Sequence, residues 1–549
     1  MALIWIAFAT LAFASLKPIW GQPGWPQNHE FNSFVQRTQI YAAHYRFHDF
    51  LPIWSSIDNK GFGSPQPLLY HRLFYAVAGA FAIITVSIKP ALILAIVVFL
   101  LIGAWGIYFV MRALGVSRLA STIAGLSLIA ANYTVTDWLV RGAVAELSGY
   151  MLVSWTMLYF LRSVQEERIR PGLGVILGLA FLAHSVLAYY LGLFYAAILF
   201  ILIAARQVGF KIALVKSGLV ALVFFLAIVL PFLIPMKIMG SAYDISRQLT
   251  ATYHPAHQFQ PLVDYFWRHW LFGQVWSDIT VQIDLPITLL VMMGLFAAFC
   301  YRRDEPNRRK FRPRIFQPVL PFALLLIITL FLQSRFSAEF YRWVPGAAYI
   351  QFPWRLLAVI TPTAIVLGLY LVDKLVPSLP ARIVIVVFGL SMIVSSGAFA
   401  HIYYGSLNKF DPPLAPLTLS VYGEFIPKNV PDPPYTLQQV LSSAKASGCS
   451  IADGPPKTEV KRTEFHIDCR RATRIALPIY ASTAHQLRIQ SAAGPQPAVS
   501  CAPAPAQFPA LCGVSLPAGK SVVNVRFPTY FTFLRSLLAP LPTQVSPAR

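Results

Sequence analysis

The chain has 549 residues, of which 56% are hydrophobic and 12% are charged. This composition excludes an ordinary soluble protein, and apolar runs of about 17–22 residues that recur along the chain predict spanning helices. The 44 lysines and arginines outnumber the 22 aspartates and glutamates. This excess fits basic cytoplasmic loops better than a nucleic-acid partner, and we expect no such partner.

Apolar segments follow one another along the first 400 residues. The first, near 2–20, is interpreted as a retained span, because it lacks the basic start and the cleavage site of a signal peptide. Further spans are predicted near 91–111, 119–137, 147–161, 172–188, 190–205, 217–236, 285–300, 318–333, 355–373 and 383–403. The expected fold is therefore a polytopic α-helical membrane protein with about eleven crossings.

Four inter-span loops are rich in lysine and arginine: 112–118, 162–171, 206–216 and 301–314. With these spans, all four lie on one side of the membrane, which the positive-inside rule assigns to the cytoplasm. The opposite side then receives 21–90, 138–146, 237–284, 334–353 and everything after about residue 404. The apolar segment 68–90 would break this parity if it crossed, so it is expected to be a helix or hairpin in the outer interface.

The segment 405–549 differs in kind, since it is rich in proline and shows the period-two alternation of β-strands. It is expected to be an extracytoplasmic β-sandwich-like domain that follows a membrane domain over 1–404. Four of the five cysteines lie in it, which indicates two disulfides in an oxidising compartment. Three pairings are possible, and short loops favour Cys449–Cys469 with Cys501–Cys512.

The first outer loop, 21–90, holds the strongest catalytic candidate. Glu30 stands at the start of an amphipathic helix, where it could simply cap the helix. However, the loop also carries His29, Arg37, Lys60 and Arg72. A lone carboxylate among cations at a lipid surface suits a phosphorylated lipid substrate together with a proton to be removed.

Other charged residues are open to simpler interpretations. The second outer loop, 237–284, contains Asp244, His254, His257 and Asp264, which form a possible second site. Asp137, Arg141 and Glu146 are interpreted as an ion pair that holds a short loop. His184, inside an apolar run, is interpreted as a buried histidine with a local hydrogen bond.

Three stretches resemble known membrane proteins: residues 29–70, "YIQFPWRLL" (349–357) and "YGEFIPK" (422–428). They resemble the bacterial membrane proteins named for a 6-pyruvoyl-tetrahydropterin-synthase-related domain and their YfhO-like relatives, within the GT-C class of polyprenyl-phosphate-sugar glycosyltransferases. The third stretch has Phe425-Ile426 where that family tends to have Tyr-Leu. The resemblance implies a GT-C-like fold in the bacterial inner membrane, with the active site and the carboxy-terminal domain on the periplasmic side.

The resemblance also implies residue roles. Glu30 matches the family's loop acid and would act as general base for an acceptor hydroxyl, with inversion at the anomeric carbon. Arg355 would bind the donor phosphate, with Arg342, Arg72 and Arg37 as alternatives. The implied partners are the bilayer, a polyprenyl-phosphate sugar and an extracytoplasmic glycan, lipid or protein acceptor. The resemblance leaves open whether the enzyme uses a divalent cation.

Two other functions compete with sugar transfer. A carrier or flippase would move a lipid-linked or envelope component without group transfer, and would be expected to place several ionisable residues mid-span. A scaffold that binds cell-wall polymer through the carboxy-terminal domain would have no use for Glu30.

Overall fold

The structure is a computed structural model of the whole chain. It describes all residues except 21–23, 27, 210, 244–252, 267, 273–278, 305–315, 407–424, 432–433, 453–456, 483–484, 492–493, 497–498, 505–506 and 539–549. Its residues divide into two compact units. Unit 1 comprises 1–35, 71–231 and 248–415, and unit 2 comprises 36–70, 232–247 and 416–549. This division differs from the predicted one, which had a single boundary at residue 404. Residues 36–70 and 232–247 group with the carboxy-terminal segment instead of with the helices around them.

Helices account for most of the chain before residue 407. They are α1 (Ala2–Ser15), α2 (Lys17–Trp20), α3 (Phe31–Arg46), α4 (Gln66–Leu69), α5 (Leu73–Thr85), α6 (Ile88–Ala113), α7 (Arg118–Ala130), α8 (Asn132–Val135), a π-helix (Thr136–Arg141), α9 (Val144–Gln165), α10 (Pro171–Ala183), α11 (Ser185–Ala204), α12 (Ile212–Gly240), α13 (Leu285–Asp304), α14 (Leu320–Leu332), α15 (Ala338–Trp343), α16 (Leu357–Leu375) and α17 (Ser378–Ser406). Two more, α18 (Leu437–Ala446) and α19 (Tyr530–Leu538), follow in unit 2.

Glycines let the central helices of unit 1 approach closely. A Cβ atom on Gly103 of α6 would lie 2.3 Å from Met151 Sδ of α9, and one on Gly106 would lie 2.7 Å from Ser154 Cβ. Small residues at such points allow the backbones of apolar helices to pack without voids. The second contact lies three residues after the first on both helices, so α6 and α9 run parallel.

This arrangement brings three of the basic loops to one end of unit 1. Loop 112–118 follows α6, and Lys374 Nζ at the end of α16 donates to the Gly115 carbonyl at 2.6 Å. Loop 162–171 follows α9, and its Glu167 accepts from the Gly209 amide in loop 206–216 at 3.1 Å. The fourth basic loop lies largely outside the described residues. We call this end the basic end.

The segment 68–90 contributes a short helix rather than a long one. α5 has 13 residues, about 20 Å, which is less than the roughly 30 Å of a hydrocarbon core. It packs against α6 after a reversal at Val86, whose φ is 55°. At its start, the Arg72 amide donates to the Leu182 carbonyl at the end of α10. The helix therefore forms a hairpin with α6, and its location relative to a bilayer stays a prediction.

Within the described residues, seven helices are long and apolar enough to cross a membrane. They are Ile88–Ala113, Arg118–Arg141, Val144–Gln165, Ser185–Ala204, Ile212–Gly240, Pro353–Leu375 and Ser378–Tyr404. An eighth is added if the bent pair Gln317–Leu332 and Arg335–Trp343 is one span. The expected count of eleven is not confirmed. The predicted span 172–188 is wrong as a continuous helix, because the extended backbone of His184 (φ −158°, ψ 94°) separates α10 from α11.

Unit 2 contains the β-structure. Its strands are β1 (Cys449–Ile451), β2 (Lys457–Glu459), β3 (Arg462–Cys469), β4 (Thr473–Tyr480), β5 (Gln486–Ser491), β6 (Gly494–Pro495), β7 (Val499–Ser500), β8 (Ala502–Pro503), β9 (Leu511–Leu516) and β10 (Gly519–Arg526). One sheet has the order β1-β3-β10-β5-β6, with β2 beside β3 and β7 beside β5, and the other has the order β4-β9-β8. All pairs are antiparallel.

The two sheets share one hydrophobic core, as a β-sandwich does. Phe465 and Val523 from the first sheet are buried in the same cluster as Leu477 and Val514 from the second. Both expected disulfides are present. Cys449–Cys469 joins register partners on β1 and β3, and Cys501–Cys512 joins the start of β8 to β9.

Candidate functional site

A π-helical turn lies at the end of unit 1 opposite the basic end. It continues α7 and α8 over Thr136–Arg141 and stops at Gly142, which adopts φ 69°. Glycine fits this left-handed position because it has no Cβ, and the space beside it is filled by Asn28 and Phe34. Single π-turns are frequent at functional sites. Here the turn carries Asp137 and Arg141.

Arg141 is the centre of a buried ionic cluster, which we call the Arg141 cluster. Its side chain is fully buried and pairs with Asp137. Its other terminal nitrogen donates to Glu146 Oε2 at 2.7 Å. The guanidinium also lies 4.6 Å from the Trp354 ring centroid. A guanidinium can hold two carboxylates at once because its donors are fixed in a planar fork.

Glu146 extends the cluster to three further side chains. The Tyr133 hydroxyl donates to Glu146 Oε1 at 2.6 Å. Arg355 Nε lies 3.3 Å, and His184 Nε2 3.9 Å, from Glu146 Oε2. Two carboxylates thus face two guanidiniums, and their formal charges cancel. Such compensation keeps buried charges tolerable, and removal of one partner is costly.

Two histidines meet beside the cluster at the start of α11. His184 Nδ1 accepts the Leu187 amide at 3.2 Å, and His71 Nδ1 accepts the Ser185 amide at 3.3 Å. The centroids of the His71 and His184 rings are 4.4 Å apart. Because both Nδ1 atoms act as acceptors, each neutral imidazole carries its proton on Nε2. The local hydrogen bond expected for His184 is present.

Glu30 is held on the backbone of the π-helix. Its amide donates to the Arg141 carbonyl at 3.1 Å and to Asn28 Oδ1 at 3.2 Å, and the His29 amide donates to the Val140 carbonyl at 3.3 Å. Glu30 directly precedes α3, whose Phe34 amide bonds to its carbonyl. The predicted loop acid and the Arg141 cluster therefore belong to one region of unit 1.

The predicted phosphate-binding arginines of unit 1 have different environments. Arg355, 14% exposed, pairs with Glu146 and donates to Gln351 Oε1 at 3.1 Å. Arg72 is buried at the start of α5. Arg342 is exposed and pairs with Glu339 at 2.6 Å. Arg355 contacts the Arg141 cluster directly, through Glu146.

The other two cations of the first loop belong to unit 2. Arg37 is buried, with its guanidinium 3.7 Å from the Tyr70 ring centroid. Lys60 is exposed at the tip of the loop closed by the Ser55–Ser64 bridge. Asn59 and Lys60 both have positive φ, 53° and 59°, an unusual backbone for residues with side chains.

The possible second site in 237–284 is not assembled by described contacts. Asp244 lies outside the described residues. Burial lowers the pKa of His254, and the neighbouring His257 and Arg342 lower it further. Asp264 lies 4.0 Å from Arg268. No described contact joins His254, His257 or Asp264 to the Arg141 cluster, and within the described chain no group of three or more metal-ligating side chains occurs.

Several residues of this region were not assigned to a site from the sequence. Tyr133, His71 and Trp354 complete the cluster, and Asp284 accepts the Asn132 amide at 3.1 Å. Asp137, Arg141 and Glu146 were correctly interpreted as an ion pair, but its burial and its link to Arg355 were missed. One signal in the sequence could have indicated this site. Three charged residues, Asp137, Arg141 and Glu146, lie close together between two apolar runs, in a chain with few acidic residues.

Comparison with known proteins gives similarity in structure only. No family model and no curated protein matches the sequence. The chain is similar to the Archaeoglobus fulgidus oligosaccharyltransferase in the apo form, with 13% identity and a TM-score of 0.44 over 72% of this chain. The structure of the same enzyme tethered to an acceptor peptide shows 11% identity and a TM-score of 0.46 over 76% of this chain. In each case the match covers 55% of that protein.

A third similar structure is the arabinosyltransferase EmbB from Mycobacterium smegmatis. It shows 12% identity and a TM-score of 0.36, over 95% of this chain and 63% of that one. The chain thus spans between about half and just under two thirds of the length of these two enzymes. We infer its activity from its own residues.

Proposed function

We propose that this protein is an integral membrane glycosyltransferase of the GT-C class. It would move a sugar from a polyprenyl-phosphate donor to an extracytoplasmic glycan, lipid or protein acceptor, with inversion. One observation carries the proposal: Glu30 is bonded to the π-helix that carries Arg141, beside Arg355 and its partners, at the end of unit 1 opposite the basic loops. A candidate base and candidate phosphate ligands are thus in one region, at the end that the positive-inside rule assigns to the outer face.

The chemistry requires one base and one cationic site. The acceptor oxygen attacks the anomeric carbon while its proton passes to the Glu30 carboxylate. The bond between the anomeric carbon and the phosphate oxygen breaks, and the polyprenyl phosphate leaves with the electron pair. Phosphate needs no protonation to leave, so a second catalytic carboxylic acid is not required. This accounts for a cluster in which Asp137 and Glu146 are both engaged by Arg141.

Arg355 is our first choice for the donor phosphate. Its pairing with Glu146 and Gln351 fixes the guanidinium while part of the side chain stays exposed. A fixed guanidinium can bind two phosphate oxygens, whereas a lysine ammonium offers only a point charge. Arg72, Arg342 and His29 are further candidates in unit 1. Arg37 and Lys60 are candidates in unit 2.

One observation favours the alternative of a carrier. Asp137, Arg141 and Glu146 lie within helices long enough to span a membrane, and ionisable residues in such helices often mark transport pathways. However, they lie at the ends of these helices rather than at their centres. Their charges are also compensated by one another and by Arg355. We therefore favour group transfer.

The test is a transfer assay with the purified full chain in proteoliposomes. Radiolabelled polyprenyl-phosphate hexoses and pentoses are supplied with a membrane glycan extract, and both labelled product and donor translocation are measured. We expect transfer, and Arg355→Lys should raise the KM for the donor about tenfold or more. The matched control is Arg335→Lys, an exposed arginine outside the proposed site. Translocation without transfer would support the carrier, and an unchanged donor KM for Arg355→Lys would remove Arg355 from the site.

A further inference from the structure

A cavity of about 390 Å³ lies within unit 2, a volume typical of small-molecule sites. It is lined by Phe47, which follows α3, and by residues at the ends of β3, β5 and β10, with the turn that leads into α19. Three of the lining residues are cations: Lys461, Arg462 and Arg526. None of the lining residues that the structure describes is acidic.

The sheet register concentrates positive charge at this cavity. Arg526 of β10 is the direct cross-strand partner of Arg462 on β3 and of Gln486 on β5. Like charges placed opposite each other on neighbouring strands destabilise a sheet. The nearest acid in register is Glu459 of β2, opposite Arg462. This cross-strand row thus contains two arginines and one glutamate, and Lys461, directly before β3, adds a third cation at the cavity.

Within the described chain, these cations are not all neutralised by carboxylates. Lys461 Nζ donates to the Phe47 carbonyl. The Arg526 side chain is exposed and has no hydrogen bond or ion pair with any residue whose side chain is described. An exposed arginine opposite a second arginine, with no carboxylate partner among the described side chains, is suited to binding an anion from outside the chain.

The remaining lining residues indicate the rest of the ligand. Gln486, Thr529 and Thr532 offer neutral hydrogen-bonding groups, while Phe47, 46% exposed, offers an apolar ring face. A sugar ring has hydroxyl groups for the former and C–H faces for the latter, and a carboxylate or phosphate on it would engage the arginines. We propose that this cavity binds an anionic saccharide, a sugar that carries a carboxylate or a phosphate. The site does not depend on the glycosyltransferase activity.

Binding can be measured by calorimetry with the full chain in nanodiscs made of neutral lipid. Trigalacturonic acid is the carboxylate probe and mannose 6-phosphate the phosphate probe, with galactotriose and mannose as their neutral counterparts. We expect at least one anionic probe to bind, with its neutral counterpart at least tenfold weaker. Arg526→Gln should weaken binding about tenfold or more, as loss of a charged hydrogen bond does.

Two further variants make the test specific. Lys520→Gln removes an exposed cation from the same face of β10, six residues and about 20 Å away, and should leave the affinity unchanged. Arg526→Lys keeps the charge and should bind better than Arg526→Gln, which separates loss of the site from a folding defect. The proposal is overturned if neither anionic probe binds, if neutral sugars bind equally well, or if Lys520→Gln weakens binding as much as Arg526→Gln. Binding only to vesicles of anionic lipid would also overturn it in favour of a membrane contact.

Discussion

At the scale of single residues, buried charge determines which side chains can change. Arg141 is fully buried and lies between two carboxylates that are themselves almost completely buried. A carboxylate left without its cation in such a place loses hydration without compensation. The cluster is therefore best understood as a unit in which each charge is needed to keep the others in place.

Replacement of Arg141 by methionine should be strongly destabilising. Arg141→Met keeps much of the volume but leaves Asp137 and Glu146 without their shared cation. The expected loss in the free energy of unfolding is about 3–5 kcal/mol. The matched control is Arg170→Met, which breaks the exposed pair with Glu166 and should cost far less, because exposed ion pairs contribute little to stability. Denaturant unfolding in detergent micelles measures both. Equal costs for the two variants would show that the cluster is not a structural unit.

Asp58 in unit 2 gives a prediction about pH. Its carboxylate accepts from Gln36 Nε2 at 2.9 Å and from Ser64 Oγ at 2.6 Å. Burial nevertheless raises its pKa from 3.8 to about 6. Between these values the folded state binds more protons than the unfolded state, so this group's contribution to stability falls as the pH rises from about 4 to about 6. The total change is about 3 kcal/mol.

The difference between wild type and Asp58→Asn isolates this contribution. The free energy of unfolding of the wild type, relative to that of the variant, should decline between pH 4 and pH 6 and be flat above about pH 7. Asp468→Asn, on the exposed face of β3, tests whether the loss of any carboxylate gives the same profile. A difference for Asp58→Asn that is independent of pH would contradict the prediction.

At the scale of elements, the apolar runs predicted where the helices of unit 1 lie but not always where they break. Residues 172–188 are apolar except for His184 and Ser185, so hydropathy alone could not reveal the break there. The break depends on the two histidines, which accept amides at the start of α11. The disulfides and strands of unit 2 were predictable because cysteine spacing and period-two alternation are local signals. The assignment of 36–70 to the same unit was not, because it depends on long-range contacts.

The hairpin of α5 and α6 gives a prediction about topology. If residues 73–85 do not cross the membrane, Ser87 lies on the outer side. In a Cys300→Ser background, a cysteine at Ser87 should react with an impermeant thiol reagent added to intact cells. A cysteine at Ser117, in the loop after α6, should react only after permeabilisation. Because α6 separates the two positions, the reverse pattern, with Ser117 labelled in intact cells and Ser87 protected, would contradict the prediction. It would mean that α5 crosses and that the basic end is not cytoplasmic.

At the scale of the whole molecule, the chain combines helices long enough to span a membrane with a disulfide-bonded β-rich unit. Unit 1 holds Glu30 and the Arg141 cluster, and unit 2 holds the basic cavity. In our account, chemistry and recognition of an anionic saccharide thus belong to different parts of one chain. The two proposals can fail independently, because the variants that test them lie in different units.

The central claim is that Glu30 is the general base of sugar transfer. Glu30→Gln keeps the size and polarity of the side chain but cannot accept a proton. As a mere helix cap, glutamine would cost well under about 1 kcal/mol and leave activity nearly intact. As the base, its loss should lower kcat for transfer by roughly 10²–10⁴-fold, with donor KM and unfolding stability close to the wild type. Glu166→Gln, near the basic end, is the control and should retain full activity. Transfer by Glu30→Gln within a few-fold of the wild type, in the same proteoliposomes, would contradict the catalytic assignment.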